Sequence, residues 1–262
     1  MTTGNSNFDL SGKVALVTGG NGGIGLGMAE AMAKAGADIC IWGTNAAKNA
    51  AALQALSVHG VKTLALACDV SEKTQVDACF ATTLESMGRV DGVFANAGMS
   101  GREKSFLDIT EEKWRRMLAV NLDGVFFTYQ AALRHMVERA ENGDPGGRLV
   151  ATSSMASISG AARNEHYAAT KGGLNAMSYA LAVEFARQGV TSNIIQPGWI
   201  STDMTEGLMA NEKFAKHAGK RIPIRRWGAP KDFGGIAVYL LSDASSYHTG
   251  QDFLIDGGYW RY

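Results

Sequence analysis

The sequence lacks the features that mark several classes of protein. Lysine and arginine together number 25, as do aspartate and glutamate, so the formal net charge is zero. This balance argues against a protein whose main partner is nucleic acid or an anionic membrane. No apolar run approaches membrane-spanning length, and the polar residues 1–9 carry no signal-peptide core. We therefore expect a cytoplasmic protein that does not bind membranes.

Cysteine usage gives no sign of a metal centre or a disulfide framework. The three cysteines, Cys40, Cys68 and Cys79, form no CxxC motif, and the histidines show no ligand spacing. We interpret the cysteines as reduced thiols and predict no bound metal. No linker rich in Pro, Gly or Ser divides the chain, which is long enough to bury a sizeable core. We predict a single domain over residues 1–262.

A glycine-rich turn lies between a predicted strand and a predicted helix near the start of the chain. Residues 13–18 are an apolar run typical of a buried strand, and an alanine-rich helix continues through residues 29–35. Five glycines lie between positions 19 and 25, where they allow positive φ angles and close approach of a ligand. Such a unit presents backbone N–H groups and a helix N-terminus to a phosphate. A loose turn is the alternative, which the flanking elements disfavour.

Strands and helices alternate along the rest of the chain. This alternation indicates a parallel sheet with right-handed crossovers, so we predict an α/β, three-layer, doubly wound (Rossmann) fold with seven parallel strands and helices on both faces. The further predicted strands are residues 37–42, 64–70, 90–95, 148–152, 190–195 and 251–256. The further predicted helices are residues 46–57, 72–87, 111–139, the segment that contains Tyr167, and residues 229–241.

The residues after the second strand are expected at the ribose of a bound dinucleotide. An acid there would bind the ribose hydroxyls and repel a 2′-phosphate. Gly43, Thr44 and Asn45 occupy this place, so neither that acid nor a phosphate-binding arginine is present. Lys48, one turn into the next helix, could contribute, but solvation is the simpler interpretation. These residues leave both NAD and NADP open.

Tyr167 and Lys171 are four residues apart and so lie on one face of a predicted helix, whose core side is an apolar stripe from Leu174 to Phe185. An ammonium beside a phenol favours the phenolate and should lower the phenol pKa from about 10 toward neutrality. The pair is therefore a candidate general acid/base. The same spacing also occurs in many solvated helices.

Other polar residues stand at strand ends or within apolar stripes. Asp69, residues 96–98 and Ser154 follow predicted strands, and ligands of parallel sheets bind at such carboxyl ends. Asn121 falls on an apolar stripe, where it either satisfies a neighbouring helix backbone or holds a water near the active site. The polar excursion at about residues 199–222 predicts a substrate lid.

These segments, in this order and spacing, resemble the short-chain dehydrogenase/reductase family over essentially the whole chain. The similar motifs are Thr18-Gly19-x-x-x-Gly23-Ile24-Gly25 (cofactor loop), Asp69-Val70 (adenine), Asn96-Ala97-Gly98, Pro197-Gly198 with Thr202 (nicotinamide amide and phosphates), and Asn121, Ser154, Tyr167 and Lys171 (catalytic tetrad). Ala95 departs from the pattern, because many members carry a second asparagine there. Several motifs in register are much more specific than any one of them.

The resemblance implies hydride transfer between a nicotinamide and a carbonyl carbon. In that scheme Tyr167 donates the proton, Ser154 polarises the carbonyl oxygen, Lys171 lowers the Tyr167 pKa and binds the nicotinamide ribose, and Asn121 holds a water. Together with the ribose-end residues, the cofactor-binding candidates are Gly19, Asn21, Gly22, Gly23, Ile24, Gly25, Gly43, Thr44, Asn45, Asp69, Val70, Asn96, Ala97, Gly98, Tyr167, Lys171, Pro197, Gly198, Ile200 and Thr202.

The resemblance also bounds the substrate. The C-terminal segments are similar to those of sugar-acid dehydrogenases and 3-oxoacyl-acyl-carrier-protein reductases. We therefore expect an NAD(P)-dependent oxidoreductase for a small carbonyl compound and its secondary alcohol, whether sugar acid, polyol, cyclic or aryl alcohol. The alternatives are a carrier-protein reductase, for which six basic residues near the lid would supply charge, and a non-catalytic dinucleotide sensor. The basic residues are Lys213, Lys216, Lys220, Arg221, Arg225 and Arg226.

The remaining expectations concern cofactor choice, assembly and the pocket. Thr44 and the missing acid resemble NADP-using reductases, although Gly22 stands where many of them carry a basic residue. NADP is thus slightly favoured. The resemblance implies a homotetramer built on residues 111–139 and 167–188 and the last helix and strand, and Phe126-Phe127 would suit such a contact. Candidate pocket residues are the apolar Met99, Met155, Trp199, Met204 and Met209, with Arg163 and His166 for anion or hydroxyl recognition. His166 is expected at the pocket rim or surface.

Overall fold

Within residues 6–262, which the computed structural model describes, the chain forms one sheet of seven parallel strands. The strands are β1 (Val14–Thr18), β2 (Asp38–Gly43), β3 (Thr63–Ala67), β4 (Gly92–Ala95), β5 (Gly147–Thr152), β6 (Val190–Pro197) and β7 (Asp252–Ile255). Their order is β3-β2-β1-β4-β5-β6-β7, and each neighbouring pair is parallel. The predicted sheet is confirmed.

Helices cover both faces of the sheet. They are α1 (Gly23–Lys34), α2 (Ala46–Ser57), α3 (Lys73–Met87), α4 (Glu111–Leu118), α5 (Gly124–Glu141), α6 (Ala156–Ser159), α7 (Glu165–Glu184), α8 (Glu206–Met209), α9 (Glu212–Arg221) and α10 (Gly234–Leu241). Core residues of α1, α2 and α10 pack on one face, and those of α3, α5 and α7 on the other. This division confirms the predicted three-layer fold. None of the helices in residues 6–262 combines the length and apolar character needed to cross a membrane.

Strand β1 shows how the sequence produces two core layers. All of its residues are buried. Val14 and Leu16 belong to the core beneath α3, α5 and α7, whereas Ala15 and Val17 belong to the core beneath α1, α2 and α10. Successive side chains of a strand point to opposite faces, so a central strand between two helical layers must be apolar at every position.

The candidate site is positioned by the change of strand order at β1. This strand pairs with β2 on one side and with β4 on the other. The loops after β1 and β4 therefore diverge and open a crevice at the carboxyl ends of the strands. The glycine turn and residues 96–98 flank this crevice.

The predicted helix of residues 111–139 is divided in the structure. A π-helical turn, Ala119–Asp123, separates α4 from α5 and contains Asn121. Asn121 turns its side chain toward the backbone of Met99, at 2.8 Å for both hydrogen bonds. π-Helical turns inside α-helices occur often at functional sites, where they displace one side chain from its regular position.

Two further elements differ from prediction. The last helix begins at Gly234 rather than at residue 229, because a 3-10 turn, Pro230–Phe233, precedes it and Asp232 accepts the Ala229 N–H at 2.8 Å. Residues 199–222 contain two helices, α8 and α9, where a lid loop was predicted. Asn211 caps α9 by accepting the Phe214 N–H at 3.1 Å.

Candidate active site and cofactor cleft

The glycine turn after β1 forms a bare cradle at the start of α1. Gly19 and Gly23 have φ angles of +62° and +50°, which residues with a side chain rarely adopt. A Cβ on Gly25 would lie 2.4 Å from the Gly19 carbonyl oxygen, whereas one on Gly22 would meet nothing within 4 Å. Gly22 precedes α1 without a side-chain cap, and the first turn carries no acid. The unpaired N–H groups of this turn suit a phosphate.

Asn96 and Thr18 join the turn to the end of β4. Thr18 Oγ1 accepts from the backbone N–H groups of Asn96 and Ala97 at 3.1 and 3.0 Å. Asn96 Nδ2 donates to the carbonyl oxygens of Thr18 and Gly19, both at 3.2 Å. The Asn96 amide is thus committed to the glycine turn, and it shapes the cleft rather than projecting into it.

The ribose end of the cleft depends on Asn49, which was not predicted. Asn49 Nδ2 donates to the Gly43 carbonyl at 2.9 Å, and Asn49 Oδ1 accepts from Asn21 Nδ2 at 2.7 Å. These bonds tie the end of β2 to the glycine turn, while Thr44 and Asn45 stay exposed. The position of Asn49 in the sequence could have identified it. It lies three residues before Ala52 and seven before Leu56, and both of these are buried, so Asn49 falls on the core stripe of α2.

Asp69 stands after β3 at the same edge. Its Oδ1 accepts from the backbone N–H and the hydroxyl of Ser71 at 3.0 and 2.6 Å, and Arg116 Nη2 lies 3.4 Å from Oδ2. Partial burial opposes ionisation, but the Ser71 hydrogen bonds and the Arg116 charge outweigh it and hold the Asp69 pKa below its usual value. The side chain of the next residue, Val70, is buried against Gly124.

Tyr167 and Lys171 meet on the first turns of α7, as their spacing predicted. Lys171 Nζ lies 5.6 Å from the Tyr167 ring centroid and donates to the Thr152 carbonyl at 2.8 Å. Lys171 is 4% exposed. Ser153, next along β5, donates its hydroxyl to the Lys171 carbonyl at 3.1 Å, so the end of β5 and α7 hold each other.

The predicted lowering of the Tyr167 pKa is wrong for this structure. Burial raises the Tyr167 pKa, and the nearby Ser154 hydroxyl offsets this only in part. Burial also lowers the Lys171 pKa to about 8. For both groups burial is the largest cause of the shift, because it penalises the charged form. The predicted juxtaposition is confirmed, but its electrostatic effect is not.

Ser154 and Asn121 complete the cluster by different routes. The Ser154 hydroxyl accepts the Ala156 N–H at 3.1 Å and lies close enough to the Tyr167 hydroxyl to lower the Tyr167 pKa. Asn121 is wholly buried and makes its shortest hydrogen bonds to the Met99 backbone. Of its two predicted roles, this favours bonding to a neighbouring backbone over holding a water, although the backbone belongs to a loop and not to a helix. A Cβ on Gly98 would lie 3.3 Å from Asn121 Oδ1 and 3.7 Å from Lys171 Nζ.

His166 departs from its predicted place at the rim or surface. It is 2% exposed, and its Nδ1 has no hydrogen-bond partner among residues 6–262. Burial lowers its pKa, so the imidazole is neutral at pH 7. His166 precedes Tyr167 on α7 and is buried against the loop after β4. The same loop is bonded to the start of α7 by Asn164, whose Nδ2 donates to Ser100 Oγ at 2.9 Å.

The end of β6 leads into the lid through buried residues. The Pro197 carbonyl accepts the Met155 N–H at 3.0 Å, and a Cβ on Gly198 would lie 2.6 Å from Asp256 Cβ. The Ile200 side chain is buried, so like Val70 it could contact a cofactor only through its backbone. Thr202 lies against Gly23 of the glycine turn, where a Cβ would be 3.3 Å from Thr202 Cγ2.

An aromatic cluster joins the predicted lid, residues 199–222, to the rest of the chain. The Trp199 ring centroid lies 5.1 Å from that of Phe214 in α9, 5.7 Å from Trp227 and 6.2 Å from Tyr259 near the C-terminus. Of the predicted pocket methionines, Met204 is exposed and Met155 is partly buried. The exposed loop residue Arg163 has a φ of +68°.

Comparison with known proteins identifies the chain's relatives. The family model described as "Enoyl-(Acyl carrier protein) reductase" matches residues 19–260. The chain is 35% identical to the 5-keto-D-gluconate 5-reductase of Escherichia coli, over 97% of this chain and 98% of that protein. The chain belongs to the short-chain dehydrogenase/reductase family. It is an NAD(P)-dependent oxidoreductase that interconverts a small carbonyl compound and its secondary alcohol.

Other relatives cover nearly the whole chain as well. The sorbose reductase of Schizosaccharomyces pombe is 37% identical over 97% of this chain and 98% of that protein. The 3-oxoacyl-[acyl-carrier-protein] reductase of Chlamydia pneumoniae is 33% identical, over 95% and 97%. The crystal structure of a gluconate 5-dehydrogenase from Burkholderia cenocepacia in complex with NADP and tartrate has a TM-score of 0.91 and 32% identity, with 98% of each chain covered.

The residues of the cleft fit the dinucleotide that this family uses. The glycine turn offers an uncapped helix N-terminus, and Gly22 faces open space in front of it. The crevice opens at the carboxyl ends of β1 and β4, between this turn and Gly98. Gly98 in turn stands beside Lys171, so a ligand that runs along the crevice passes from the phosphate cradle to the Tyr167 cluster.

Proposed function

We propose that the chain is an NADP(H)-preferring dehydrogenase/reductase of a sugar acid or polyol, with Ser154, Tyr167 and Lys171 as its catalytic residues and Asn121 as a positioning residue. The observation that carries the proposal is the cluster of Ser154, Tyr167 and the buried Lys171, at the end of a crevice that begins at the glycine turn. Turnover of 5-keto-D-gluconate, gluconate or sorbose with either nucleotide tests it. The absence of turnover on all three would contradict it.

The cluster supplies the acid/base part of the reaction. A bound nicotinamide supplies or accepts the hydride. Ser154 donates a hydrogen bond to the substrate oxygen and stabilises the charge that develops there. Tyr167 gives its proton to that oxygen in reduction and takes it back in oxidation. Since the Tyr167 pKa is raised, the phenol is protonated at neutral pH, which is the state that reduction requires.

Lys171 and Asn121 support this proton transfer. Lys171 is held by the Thr152 carbonyl with its ammonium beside the phenol, where it stabilises the phenolate that forms after reduction. It also stands next to Gly98, so we assign it the contact to the nicotinamide ribose hydroxyls. Asn121 holds the loop after β4 in place through both backbone groups of Met99. We therefore assign Asn121 to positioning.

The polar environment of Tyr167 supports a hydroxylated substrate. Three polar atoms directly before it are buried without partners among the described residues, namely Asn164 Oδ1, Glu165 Oε2 and His166 Nδ1. Polar residues thus directly precede the proton donor in the chain, a setting that suits a hydroxylated substrate better than a fatty acyl chain. The gluconate and sorbose relatives point to the same chemistry.

The case for a carrier-protein reductase is weaker. Of the six basic residues near the lid, Arg221 donates to the Tyr259 hydroxyl at 3.0 Å, and Arg226 pairs with Asp232 at 2.6 Å. Arg225 donates to the Lys220 carbonyl at 2.6 Å. Three of the six cations are thus engaged within the chain, which leaves a smaller patch for an acidic carrier. Faster turnover of acetoacetyl carrier protein than of 5-keto-D-gluconate would reverse this choice.

NADP(H) is the proposed cofactor because the residues that directly follow β2 include no acid that would repel a 2′-phosphate. Thr44 and Asn45 are exposed, and no acid lies between Gly43 and Lys48. The gluconate 5-dehydrogenase structure in complex with NADP is consistent with this choice for the family. NADPH should raise the melting temperature more than NADH at equal concentration. A larger shift with NADH would overturn the preference.

We also propose a single domain with residues 199–222 as substrate lid, a homotetrameric assembly and a cytoplasmic location. The aromatic cluster around Trp199 and the Thr202–Gly23 contact support the lid. Exposed apolar side chains on α5 and α7 support the assembly, with Phe126 45% and Val183 81% exposed. The three unpaired thiols suit a reducing compartment. Light scattering would give the mass, and a monomer would contradict the assembly.

A further inference from the structure

The lid touches the nucleotide end of the cleft through an ion pair of two residues far apart in the chain. Lys48 Nζ lies 2.5 Å from Asp203 Oδ2. Lys48 is in the first turn of α2, where its backbone N–H is capped by Asn45 at 2.9 Å. Asp203 opens the 3-10 turn Asp203–Thr205, directly after Thr202. The Lys48 side chain is solvated, as expected from the sequence, and it is also paired with an acid of the lid.

Lys48 is the first basic residue of the chain after β2, the strand that ends at the expected 2′-phosphate. It lies three residues after Asn45, at the end of β2 where the adenosine ribose of a dinucleotide binds. Between Gly43 and this lysine the chain carries no other basic residue. A lysine binds phosphate as a compact point charge on a flexible stem, so its exposed side chain can reach in more than one direction.

Asp203 is therefore a competitor for the same ammonium. The Lys48 charge and hydrogen bond hold the Asp203 pKa below its usual value, so the carboxylate is ionised at pH 7. Both side chains are exposed, at 52% and 81%, and the pair is correspondingly weak and exchangeable. A 2′-phosphate at the end of β2 would offer the ammonium more negative charge than the carboxylate does.

We propose that Lys48 exchanges between Asp203 and the 2′-phosphate of NADP(H), so that an acid of the lid sets how strongly the enzyme discriminates NADP from NAD. The inference rests on the proposed cofactor site. To bind Lys48, the 2′-phosphate of NADP must displace the Asp203 carboxylate, which also repels it. NAD carries no group that competes for the lysine, so it leaves the pair intact.

The test is a set of dissociation constants for NADPH, NADH and adenosine 2′,5′-bisphosphate, measured by calorimetry on the wild type and three variants. Asp203→Asn should tighten NADPH and the bisphosphate about two- to five-fold and leave NADH unchanged, since exposed pairs of this kind are weak. Lys48→Met should weaken NADPH about ten-fold or more, because a charge-assisted contact is lost. In the double variant the gain from Asp203→Asn should vanish.

A matched pair serves as control. Lys73 and Asp77 are also 2.5 Å apart and exposed, but they lie within α3. Asp77→Asn should change no dissociation constant. Equal changes for NADPH and NADH in Asp203→Asn would show that the pair affects only the lid, and unchanged NADPH binding in both cleft variants would show that Lys48 does not reach the phosphate. Either result overturns the proposal.

The same measurements separate this inference from the cofactor preference. If the wild type binds NADH more tightly, the preference for NADP fails. A tightening of NADPH alone in Asp203→Asn would still support the exchange of Lys48. If Asp203→Asn does not tighten NADPH selectively, the proposed exchange is overturned, whichever nucleotide the wild type prefers.

Discussion

The two halves of the sheet hold their loops by different kinds of contact. At the ends of β1, β2 and β4, side-chain amides bond to backbone groups, as Asn96 does with Thr18 and Gly19. Around the lid after β6, aromatic rings and exposed ion pairs make the contacts, as Trp199 does with Phe214. The first half is preorganised because each amide satisfies backbone groups at short range. In the second half, Trp199 and Ser201 make backbone bonds to Gly228 at the base of the lid segment, and α9 beyond them is held by side-chain contacts.

Glycines show the same difference. In the first half a Cβ on Gly25 would collide with backbone at 2.4 Å. In the lid, Gly207 and Gly219 have nothing within 4 Å of a Cβ. Tight packing allows one arrangement only, while open packing allows movement. We infer that the half that holds the dinucleotide is rigid and that the half that covers the substrate moves.

The largest expected effect separates chemistry from binding. Tyr167→Phe removes the hydroxyl that donates the proton, and turnover should fall by about 10²- to 10⁴-fold. The dissociation constant for NADPH should change less than about two-fold, since the cradle lies on the other half of the sheet. Single-turnover kinetics and calorimetry measure the two quantities. Turnover near the wild-type value would remove Tyr167 from the mechanism.

A glycine variant tests the rigid half directly. In Gly25→Ala the added methyl would meet the Gly19 carbonyl at 2.4 Å and Asn96 Nδ2 at 2.5 Å. We expect a loss of about 3 kcal/mol in the free energy of unfolding, as in other overpacked sites, together with weakened nucleotide binding. Urea denaturation gives the first value. Wild-type stability would mean that the turn can relax and is not preorganised.

Lys171, which lies between the two halves, makes the free energy of unfolding depend on pH. Lys171 has a folded pKa of about 8, below the usual value of a lysine, so the unfolded chain binds more protons between pH 8 and about 10.4. Stability that depends on this group must therefore increase as the pH rises. Relative to Lys171→Met, the wild type should gain about 2 kcal/mol of unfolding free energy between pH 7 and 10. A constant difference across this range would show that the ammonium is not buried.

The smallest effect is expected in the lid. Gly219→Ala replaces a glycine within α9 that has open space around it, so stability should increase by about 0.5–1 kcal/mol. The more rigid lid helix should slow exchange of its amide hydrogens. A destabilisation as large as that of Gly25→Ala would abolish the distinction between the two halves.

Local patterns were sufficient to predict the sheet, the glycine turn and the pairing of Tyr167 with Lys171. Each depends on residues within a few positions, through strand alternation, turn conformation or helical spacing. The π-helical turn at Asn121 could not be predicted, because it depends on Met99 in a distant loop. The same holds for the Lys48–Asp203 pair, whose members are 155 positions apart.

Burial and charge at the site were also outside the reach of sequence patterns. The spacing of Tyr167 and Lys171 predicted contact correctly, but the direction of the Tyr167 pKa shift depends on how far both groups are removed from water. His166 was expected at the pocket rim or surface, but the loop after β4 packs against it and buries it.

The indole contact in the lid gives the enzyme an optical signal of its own. Trp199 and Trp227 lie 5.7 Å apart, and Phe214 of α9 touches both. Any displacement of α9 changes the surroundings of two of the five tryptophans, while Trp42 on β2 stays wholly buried in the core. Emission from the unlabelled protein can therefore follow any movement of the proposed lid in real time, with Trp42→Phe to reduce the constant background.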